Sequence, residues 1–238
     1  MSHPMRDALC VALDGSDRRW LTATAQSLAA HVGWLKLGLE AFSAHGPGLV
    51  TEIAATSSRV FLDLKLHDIP ATVRRAAANC AATGISLLTV HAAGGPEMLR
   101  AAVEGVRQGA AAEPPRVLAV TVLTSLDHAT LQELGVVGEP GEVVQRWTRL
   151  ARDCGVDGVV CSALEAARLR ASGEREMLLV TPGIRPQWSA ADDQRRVVTP
   201  RAAIAAGADI LVVGRPITTA ADPVAAARRV LEEMAAAR

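Results

Sequence analysis

The chain has 238 residues, of which 25 are basic and 25 acidic, so its formal net charge is zero, and half of its residues are apolar. This composition excludes a wholly disordered chain and is sufficient for a buried core. A neutral balance without a Lys/Arg-rich run argues against general nucleic-acid binding. Every long apolar stretch is interrupted by charge, so no segment is expected to span a membrane.

The N-terminal segment reaches Asp14 and Asp17 before the apolar core of a signal peptide can develop. The four cysteines show neither a CxxC motif nor the spacing of zinc ligands; they are Cys10, Cys80, Cys154 and Cys161. In a chain of this size without a signal, such residues are typical of reduced thiols. We therefore expect a soluble, globular, cytoplasmic protein.

One pattern repeats along the chain: a short apolar run, a polar turn and an Ala-rich helical stretch. It predicts strands at 8–14, 33–38, 59–65, 85–91, 116–123, 157–162, 176–183 and 209–214. It predicts helices at 17–31, 40–56, 70–83, 95–109, 141–154, 162–172, 200–206 and 222–237. Strands separated by helices imply a parallel sheet, and this number of units predicts a single α/β domain over 1–238, a (β/α)8 TIM barrel. A doubly wound open sheet is the structural alternative.

Polar residues stand at the ends of several predicted strands. They are Asp14, Lys36, Asp63, Lys65, Thr124, Ser125, Arg185, Gly214 and Arg215. In a barrel these strand ends meet at one face, where barrel enzymes carry their active sites. We therefore expect one site built from several βα units.

Within the segment DLKLHD, the two-residue period of a strand puts Asp63 and Lys65 on one side. A buried ammonium group requires carboxylate partners, and Asp14 is a second candidate partner for Lys65 across the barrel. Lys36 would extend this to a network of alternating charge that holds Lys65 protonated as a proton donor. The alternative is a purely structural salt-bridge network that closes the end of the barrel.

Gly214 and Arg215, after the eighth predicted strand, suggest a phosphate site because barrels often bind phosphate in the loops after strands seven and eight. The backbone N–H groups and the guanidinium fork are suited to an anion. The alternative is an ordinary Gly-containing turn with a surface arginine. His67, His91 and His128 follow strands without metal-site spacing, so we interpret them as structural or supporting residues.

The segment FLDLKLHDIPATV resembles the signature of the orotidine 5′-phosphate decarboxylase family, with its Asp-x-Lys-x-x-Asp core at Asp63, Lys65 and Asp68. The resemblance extends in order through VALD, VLTS, TPGIRP, DQRRVVTP and VVGRPIT, which covers essentially the whole chain. It implies that Lys65 is the catalytic proton donor between the two carboxylates. Asp68, with Thr72 beside it, is implied to reach the site of the other subunit, which predicts a homodimer.

The other contacts implied by the resemblance are with the nucleotide substrate. Asp14 and Lys36 are implied to hold the ribose hydroxyls and the charge network, and Thr124 and Ser125 to lie near the pyrimidine. The implied phosphate-binding residues are Arg185, Gln194, Gly214 and Arg215. The loop 184–194 is implied to be a lid over the phosphate. Trp188 stands in this loop where the family pattern leads us to expect a smaller residue.

The implied reaction removes CO₂ from C6 of orotidine 5′-phosphate, protonates the resulting carbanion and completes UMP biosynthesis. No organic cofactor or metal is implied. One alternative is a Mg²⁺-dependent sugar-phosphate decarboxylase or aldolase of the same superfamily, but these resemble the chain less because they need a glutamate on the second strand, where Lys36 stands. Another is a non-catalytic nucleotide-binding protein on the same scaffold.

Overall fold

Eight parallel strands close into a barrel in the computed structural model, which describes residues 3–189 and 198–237. Around the barrel the strands keep their order in the chain, and the last pairs with the first. The strands are β1 (Leu9–Leu13), β2 (Trp34–Gly38), β3 (Arg59–Leu66), β4 (Leu87–His91), β5 (Arg116–Val120), β6 (Gly158–Val160), β7 (Leu178–Thr181) and β8 (Ile210–Val213). The predicted strands and the predicted barrel are confirmed, and the open sheet is excluded.

Helices surround the barrel and connect its strands. They are α1 (Arg18–Leu28), α2 (Leu39–Ala54), α3 (Pro70–Ala81), α4 (Gly95–Gly109), α5 (His128–Glu133), α6 (Pro140–Asp153), α7 (Ala163–Ala171), α8 (Pro200–Ala205), α9 (Arg215–Thr218) and α10 (Pro223–Ala235). The sequence pattern does not predict α5 or α9, which have six and four residues. Across residues 3–189 and 198–237, no helix combines the length and apolar character needed to cross a bilayer.

Side chains at the helix starts fix where each connection ends. Side-chain oxygens accept hydrogen bonds from backbone N–H groups of the first helical turn at Asp17, Asp127, Ser162, Thr199 and Asp222. Proline begins α3, α6, α8 and α10, where its missing N–H has no cost. Local sequence therefore determines where these helices begin, and so where the loops before them end.

Alternate residues of the strands fill the barrel interior. They form an apolar cluster of Cys10, Ala12, Trp34, Phe61, Leu87, Leu118, Val180, Ile210 and Val212. The intervening residues pack against the helices in a second and larger core. Two residues beyond this apolar layer, the inward positions of β2, β3 and β4 are polar: Lys36, Asp63 and Thr89. The polar site thus lies directly above an apolar floor.

Two glycines allow α3 and α4 to approach closely. A Cβ on Gly105 would overlap the carbonyl oxygen of Arg74, and a Cβ on Gly109 would overlap that of Ala78. Small residues at these points let one helix backbone rest on the other, because any side chain would force the helices apart. The packing matters for the site because α3 follows directly from β3.

We predict that Gly105→Ala lowers the free energy of unfolding by about 1–3 kcal/mol, because the added methyl group overpacks a rigid backbone contact. Gly48→Ala is the matched control, since a Cβ there would meet no atom within 4 Å. Chemical denaturation of both variants measures the difference. Equal stabilities for the two variants would contradict the packing argument.

Candidate active site

Four charged side chains, on β2 and β3 and directly after β1, form a row of alternating charge at the barrel mouth. Lys36 Nζ lies 3.2 Å from Asp14 Oδ1 and 3.7 Å from Asp63 Oδ2. Lys65 Nζ donates to both carboxylate oxygens of Asp63, each at 2.9 Å. Asp14 contacts Lys36 rather than Lys65, its expected partner, because β2 lies between β1 and β3. We call Asp14, Lys36, Asp63 and Lys65 the charge row.

Lys36 is the most enclosed cation of the charge row, with 11% of its side chain exposed. Burial alone would lower the pKa of Lys36, but the carboxylates of Asp14 and Asp63 and a hydrogen bond to Asp14 raise it above its ordinary value. Lys36 therefore stays charged at neutral pH. It holds two carboxylates that would otherwise repel each other across the mouth.

The backbone of β3 is irregular where it carries Lys65. Its pairing with β4 passes from Leu62–Leu88 to Leu66–Val90, so β3 bulges in this interval. Among the described residues other than glycine, Lys65 alone has a positive φ, of 52°. This left-handed conformation costs about 1–3 kcal/mol for such a residue and is retained only where surrounding contacts enforce it.

Thr89 on β4 supplies such contacts, and sequence analysis does not identify it. Its hydroxyl accepts a hydrogen bond from the Lys65 backbone N–H at 2.9 Å and donates one to Asp63 Oδ1 at 2.9 Å. The available signal is a polar residue at the inward position after Leu87, between the apolar residues Leu88 and Val90. Because polar residues inside a strand also occur for structural reasons, the pattern alone does not assign this role.

A cavity of about 160 Å³ opens beside the charge row. Lys36, Asp63 and Lys65 provide its charged wall. The remaining lining is mainly apolar and consists of Phe61, Val120, Val122, Leu123, Thr124, Val160, Cys161, Pro182 and Val212. A charged edge next to an apolar surface can hold a flat polar ring and exclude water from its reacting side.

A second pocket, of about 260 Å³, lies beyond β7 and β8. Its lining is Arg185, Trp188, Ser189, Arg215, Pro216, Thr219 and Ala220. Two guanidinium groups in one pocket favour an anion with several oxygens. The guanidinium carbon of Arg229, on α10, lies 4.3 Å from the centre of the Trp188 ring. This large residue therefore packs the start of the 184–194 loop against α10.

Gly214 lies in the chain between Val212, which lines the first cavity, and Arg215, which lines the second pocket. A Cβ there would lie 3.7 Å from Ala12 Cβ and 3.9 Å from Asp14 Oδ2, so the backbone at Gly214 borders the charge row. Protein packing alone does not exclude a side chain at this position, and the glycine leaves room for a ligand. Gln194, the other predicted phosphate contact, lies outside the described residues, as does most of the second half of the 184–194 loop.

The remaining predicted residues lie around the mouth. Thr124 lines the central cavity and Ser125 is exposed next to it. Asp68 is exposed on the turn after β3, where Oδ1 accepts from the Ile69 N–H at 2.6 Å, and Thr72 lies in the first turn of α3. Within the described parts of the chain, the structure brings the charge row together, and neither Asp68 nor Thr72 lines the adjoining cavity.

Metal ligation does not account for this arrangement of carboxylates. In residues 3–189 and 198–237, no group of three or more His, Cys, Asp or Glu side chains has the arrangement of a metal site. The space between Asp14 and Asp63 is filled by the Lys36 ammonium group. His67 and His91 stack at 5.4 Å between ring centres, and Trp147 meets His91 edge-on, which agrees with a supporting role.

A closed parallel barrel with charged residues at the carboxyl ends of its strands, and arginines after the last two, defines a (β/α)8-barrel enzyme. The family model described as "Orotidine 5′-phosphate decarboxylase / HUMPS family" matches residues 7–230. The chain belongs to this family.

Individual relatives agree with the family match. A protein of Anaeromyxobacter sp. (strain K) named "Orotidine 5′-phosphate decarboxylase" is 51% identical over 224 residues, which cover 94% of this chain and 96% of the relative. One of the same name from Thermobifida fusca is 48% identical over 231 residues, or 97% of each chain. The crystal structure of orotidine 5′-phosphate decarboxylase from Lactobacillus acidophilus has a TM-score of 0.84 and 35% identity, covering 95% of this chain and 98% of that one.

His91 gives a prediction about stability and pH. Burial, followed by the charges of His67 and Lys65, lowers the pKa of His91 below its ordinary value. The unfolded chain therefore binds a proton at His91 more readily than the folded chain does. As a result, the free energy of unfolding falls as the pH drops below about 6.5, the pKa of His91 in the unfolded chain. His91→Asn, which keeps an acceptor for the Ala93 N–H, should lose less stability between pH 7.5 and pH 5.5 than the original protein.

Urea denaturation at several pH values measures this difference. All other ionising groups are common to the two proteins, so the difference between the two curves reports His91 together with its interactions with His67 and Lys65. Parallel stability curves for the two proteins over this range would show that His91 is not the group responsible.

Proposed function

We propose that this chain converts orotidine 5′-phosphate into uridine 5′-monophosphate and CO₂ without a metal or organic cofactor. The observation that carries the proposal is the charge row beside a half-apolar cavity. Support comes from relatives of about 50% identity that bear the name of this decarboxylase. The activity would complete the formation of UMP in pyrimidine biosynthesis.

Lys65 acts as the proton donor in this proposal. The bond between C6 and the carboxylate carbon breaks, its electron pair stays on C6 and CO₂ leaves. A proton moves from Lys65 Nζ to C6, and the resulting amine regains a proton from solvent. Because C6 has no neighbour that strongly delocalises the charge, stabilisation must come from an ammonium group already in place. The two 2.9 Å hydrogen bonds that Lys65 Nζ donates to the Asp63 carboxylate hold it there.

The other residues of the charge row orient the substrate. Asp14 is the most exposed of the row's ion-paired side chains, at 61%, and offers its free face to ribose hydroxyls. Lys36 holds the carboxylates of Asp14 and Asp63 in place and is itself a donor toward the sugar. The apolar wall of the cavity receives the pyrimidine face. Thr124 lines the cavity and Ser125 follows it in the chain, and we assign both to the polar edge of the pyrimidine site.

The second pocket binds the 5′-phosphate in this proposal. Arg185 and Arg215 neutralise the phosphate, and the open backbone at Gly214 lets it approach closely. We assign Gln194 and the loop 184–194 to the lid that closes over it. Binding energy from this remote group can then be used to exclude water and to position C6.

A Mg²⁺-dependent reaction of the same superfamily is disfavoured by Lys36. Its ammonium lies 3.2 Å and 3.7 Å from the two carboxylates that a cation would otherwise use. A divalent ion at this place would meet a buried positive charge, which costs energy that the remaining ligands do not offset.

We also propose a homodimer in which Asp68 and Thr72 complete the partner's site. The large apolar side chains Leu39 and Ile69 are 55% and 66% exposed, after the neighbouring strands β2 and β3. Exposed apolar residues on adjacent loops are typical of a contact surface. Asp68 beside them supplies a carboxylate for a second copy's Lys65.

The four cysteines support a cytoplasmic location for this activity. All four are free and buried in the structure. Burial raises the pKa of the Cys80 thiol to about 11, which keeps it protonated and unreactive. Reduced thiols of this kind fit a reducing compartment.

We predict that the purified protein decarboxylates orotidine 5′-phosphate in the presence of EDTA, followed by ultraviolet absorbance. Lys65→Ala should lower kcat by at least about a thousandfold, because the proton donor is lost. Its affinity for uridine 5′-monophosphate, measured by calorimetry, should change little because the phosphate pocket is separate. Near-normal turnover by Lys65→Ala would contradict the assigned role.

Arg215→Ala is the converse control, and it should weaken nucleotide binding while the charge row stays intact. If the original protein leaves the substrate unchanged, Mg²⁺ with sugar phosphates tests the metal-dependent alternative. Nucleotide binding without any turnover would indicate a binding protein.

The dimer proposal predicts complementation between two inactive variants. Lys65→Ala and Asp68→Ala are unfolded together and refolded as a mixture. Each mixed dimer has one site with both residues intact, so statistical mixing should restore about a quarter of the original activity per total protein. Activity no higher than the average of the two separate variants would show that Asp68 does not act across an interface.

A further inference from the structure

Thr89 is a fully buried polar residue that contacts two members of the charge row, Asp63 and Lys65. Its single hydroxyl receives the backbone N–H of Lys65 and donates to Asp63 Oδ1, both at 2.9 Å. The same Oδ1 also receives Lys65 Nζ at 2.9 Å. One oxygen atom therefore contacts both the backbone of Lys65 and the carboxylate that holds the side chain of Lys65.

The bulge in β3 explains why this contact is needed. Beyond Leu62 the pairing with β4 shifts, and it resumes only at Leu66. The N–H of Lys65 falls in this gap, where β4 offers it the Thr89 side chain in place of a backbone carbonyl. The left-handed conformation of Lys65, with φ of 52°, is fixed by the same hydrogen bond. Without it, the backbone could relax and turn the side chain away.

The carboxylate of Asp63 is constrained at the same time. Oδ2 faces both lysines, and Oδ1 receives Lys65 and Thr89. The Thr89 hydroxyl is the neutral member of this set, so it restrains the rotation of the carboxylate without changing the net charge of the row. Its place at the inward position of β4, above Leu87, makes it part of the rigid barrel wall.

We propose that Thr89 is a positioning residue for the proton transfer. It fixes both the backbone from which Lys65 projects and the carboxylate that directs the Lys65 ammonium group. The proposal rests on the proposed decarboxylase function, because its effect is defined by protonation at C6. Thr89 acts through Lys65 and Asp63, so it should influence the chemical step and leave the binding of the nucleotide phosphate unchanged.

The main test compares Thr89→Val with Thr89→Ser in the full-length enzyme. Valine has the shape of threonine but removes both hydrogen bonds, and serine retains them. We expect Thr89→Val to lower kcat on the order of a hundredfold, as a misdirected catalytic group does, with KM for orotidine 5′-phosphate and affinity for uridine 5′-monophosphate nearly unchanged. Thr89→Ser should recover most of kcat.

Thr148→Val is the matched control. Thr148 is also fully buried, but its hydroxyl bonds the carbonyl of Val144 within α6, away from the charge row. This variant should lose a hydroxyl without losing kcat. Equal reductions of kcat in the two valine variants, or a reduction in Thr89→Val matched by an equal loss of nucleotide affinity, would assign Thr89 a structural role only and overturn the proposal.

A second pair covers the case in which Thr89→Val does not fold. Cysteine and serine have nearly the same shape, but a thiol is a weak hydrogen-bonding group. Thr89→Cys should then have a much lower kcat than Thr89→Ser, and equal values would overturn the proposal. Failure of the original enzyme to turn over orotidine 5′-phosphate would instead contradict the proposed function, so the two hypotheses fail through different results.

Discussion

The structure depends on one electrostatic constraint: two ammonium groups lie within a barrel mouth whose floor is apolar. Removing a charge from water is costly unless a partner of opposite sign replaces the lost hydration. Asp63 meets this requirement for both lysines, and Asp14 assists Lys36. The result is a row in which every charge has an opposite neighbour, which fixes the positions of the groups. A site that must stabilise a developing negative charge requires this kind of preorganisation.

The charge row results from the two-residue period of the strands and from the order in which the barrel pairs them. Side chains two residues apart on a strand share a face, so the inward position above Trp34 on β2 and that above Phe61 on β3 carry Lys36 and Asp63. The pairing of β2 with β3 brings these positions together, and the pairing of β1 with β2 adds Asp14. The residues come from separate parts of the chain, and the order of the strands determines which charge lies next to which.

The sequence therefore predicts the fold and the members of the site better than their exact contacts. Apolar runs and helical periods locate the strands and the longer helices, and the strand period correctly puts Asp63 and Lys65 on one side. The partner of Asp14 depends on strand order, which places Lys36 between β1 and β3. The left-handed backbone of Lys65 could not be predicted, because it depends on Thr89, which is far away in sequence and adjacent only after β3 and β4 pair.

The bulge in β3 also explains how the barrel tolerates the strained backbone of Lys65. A regular strand would pair the N–H of Lys65 with a backbone carbonyl and leave its side chain free to choose among rotamers. In the observed arrangement the backbone is held by a side-chain hydroxyl, and the ammonium is held by a carboxylate bonded to that same hydroxyl. Relaxing the left-handed residue would therefore break contacts of Asp63 as well. Strain persists at a functional site when several contacts share its cost in this way, and here those contacts also aim the Lys65 ammonium group.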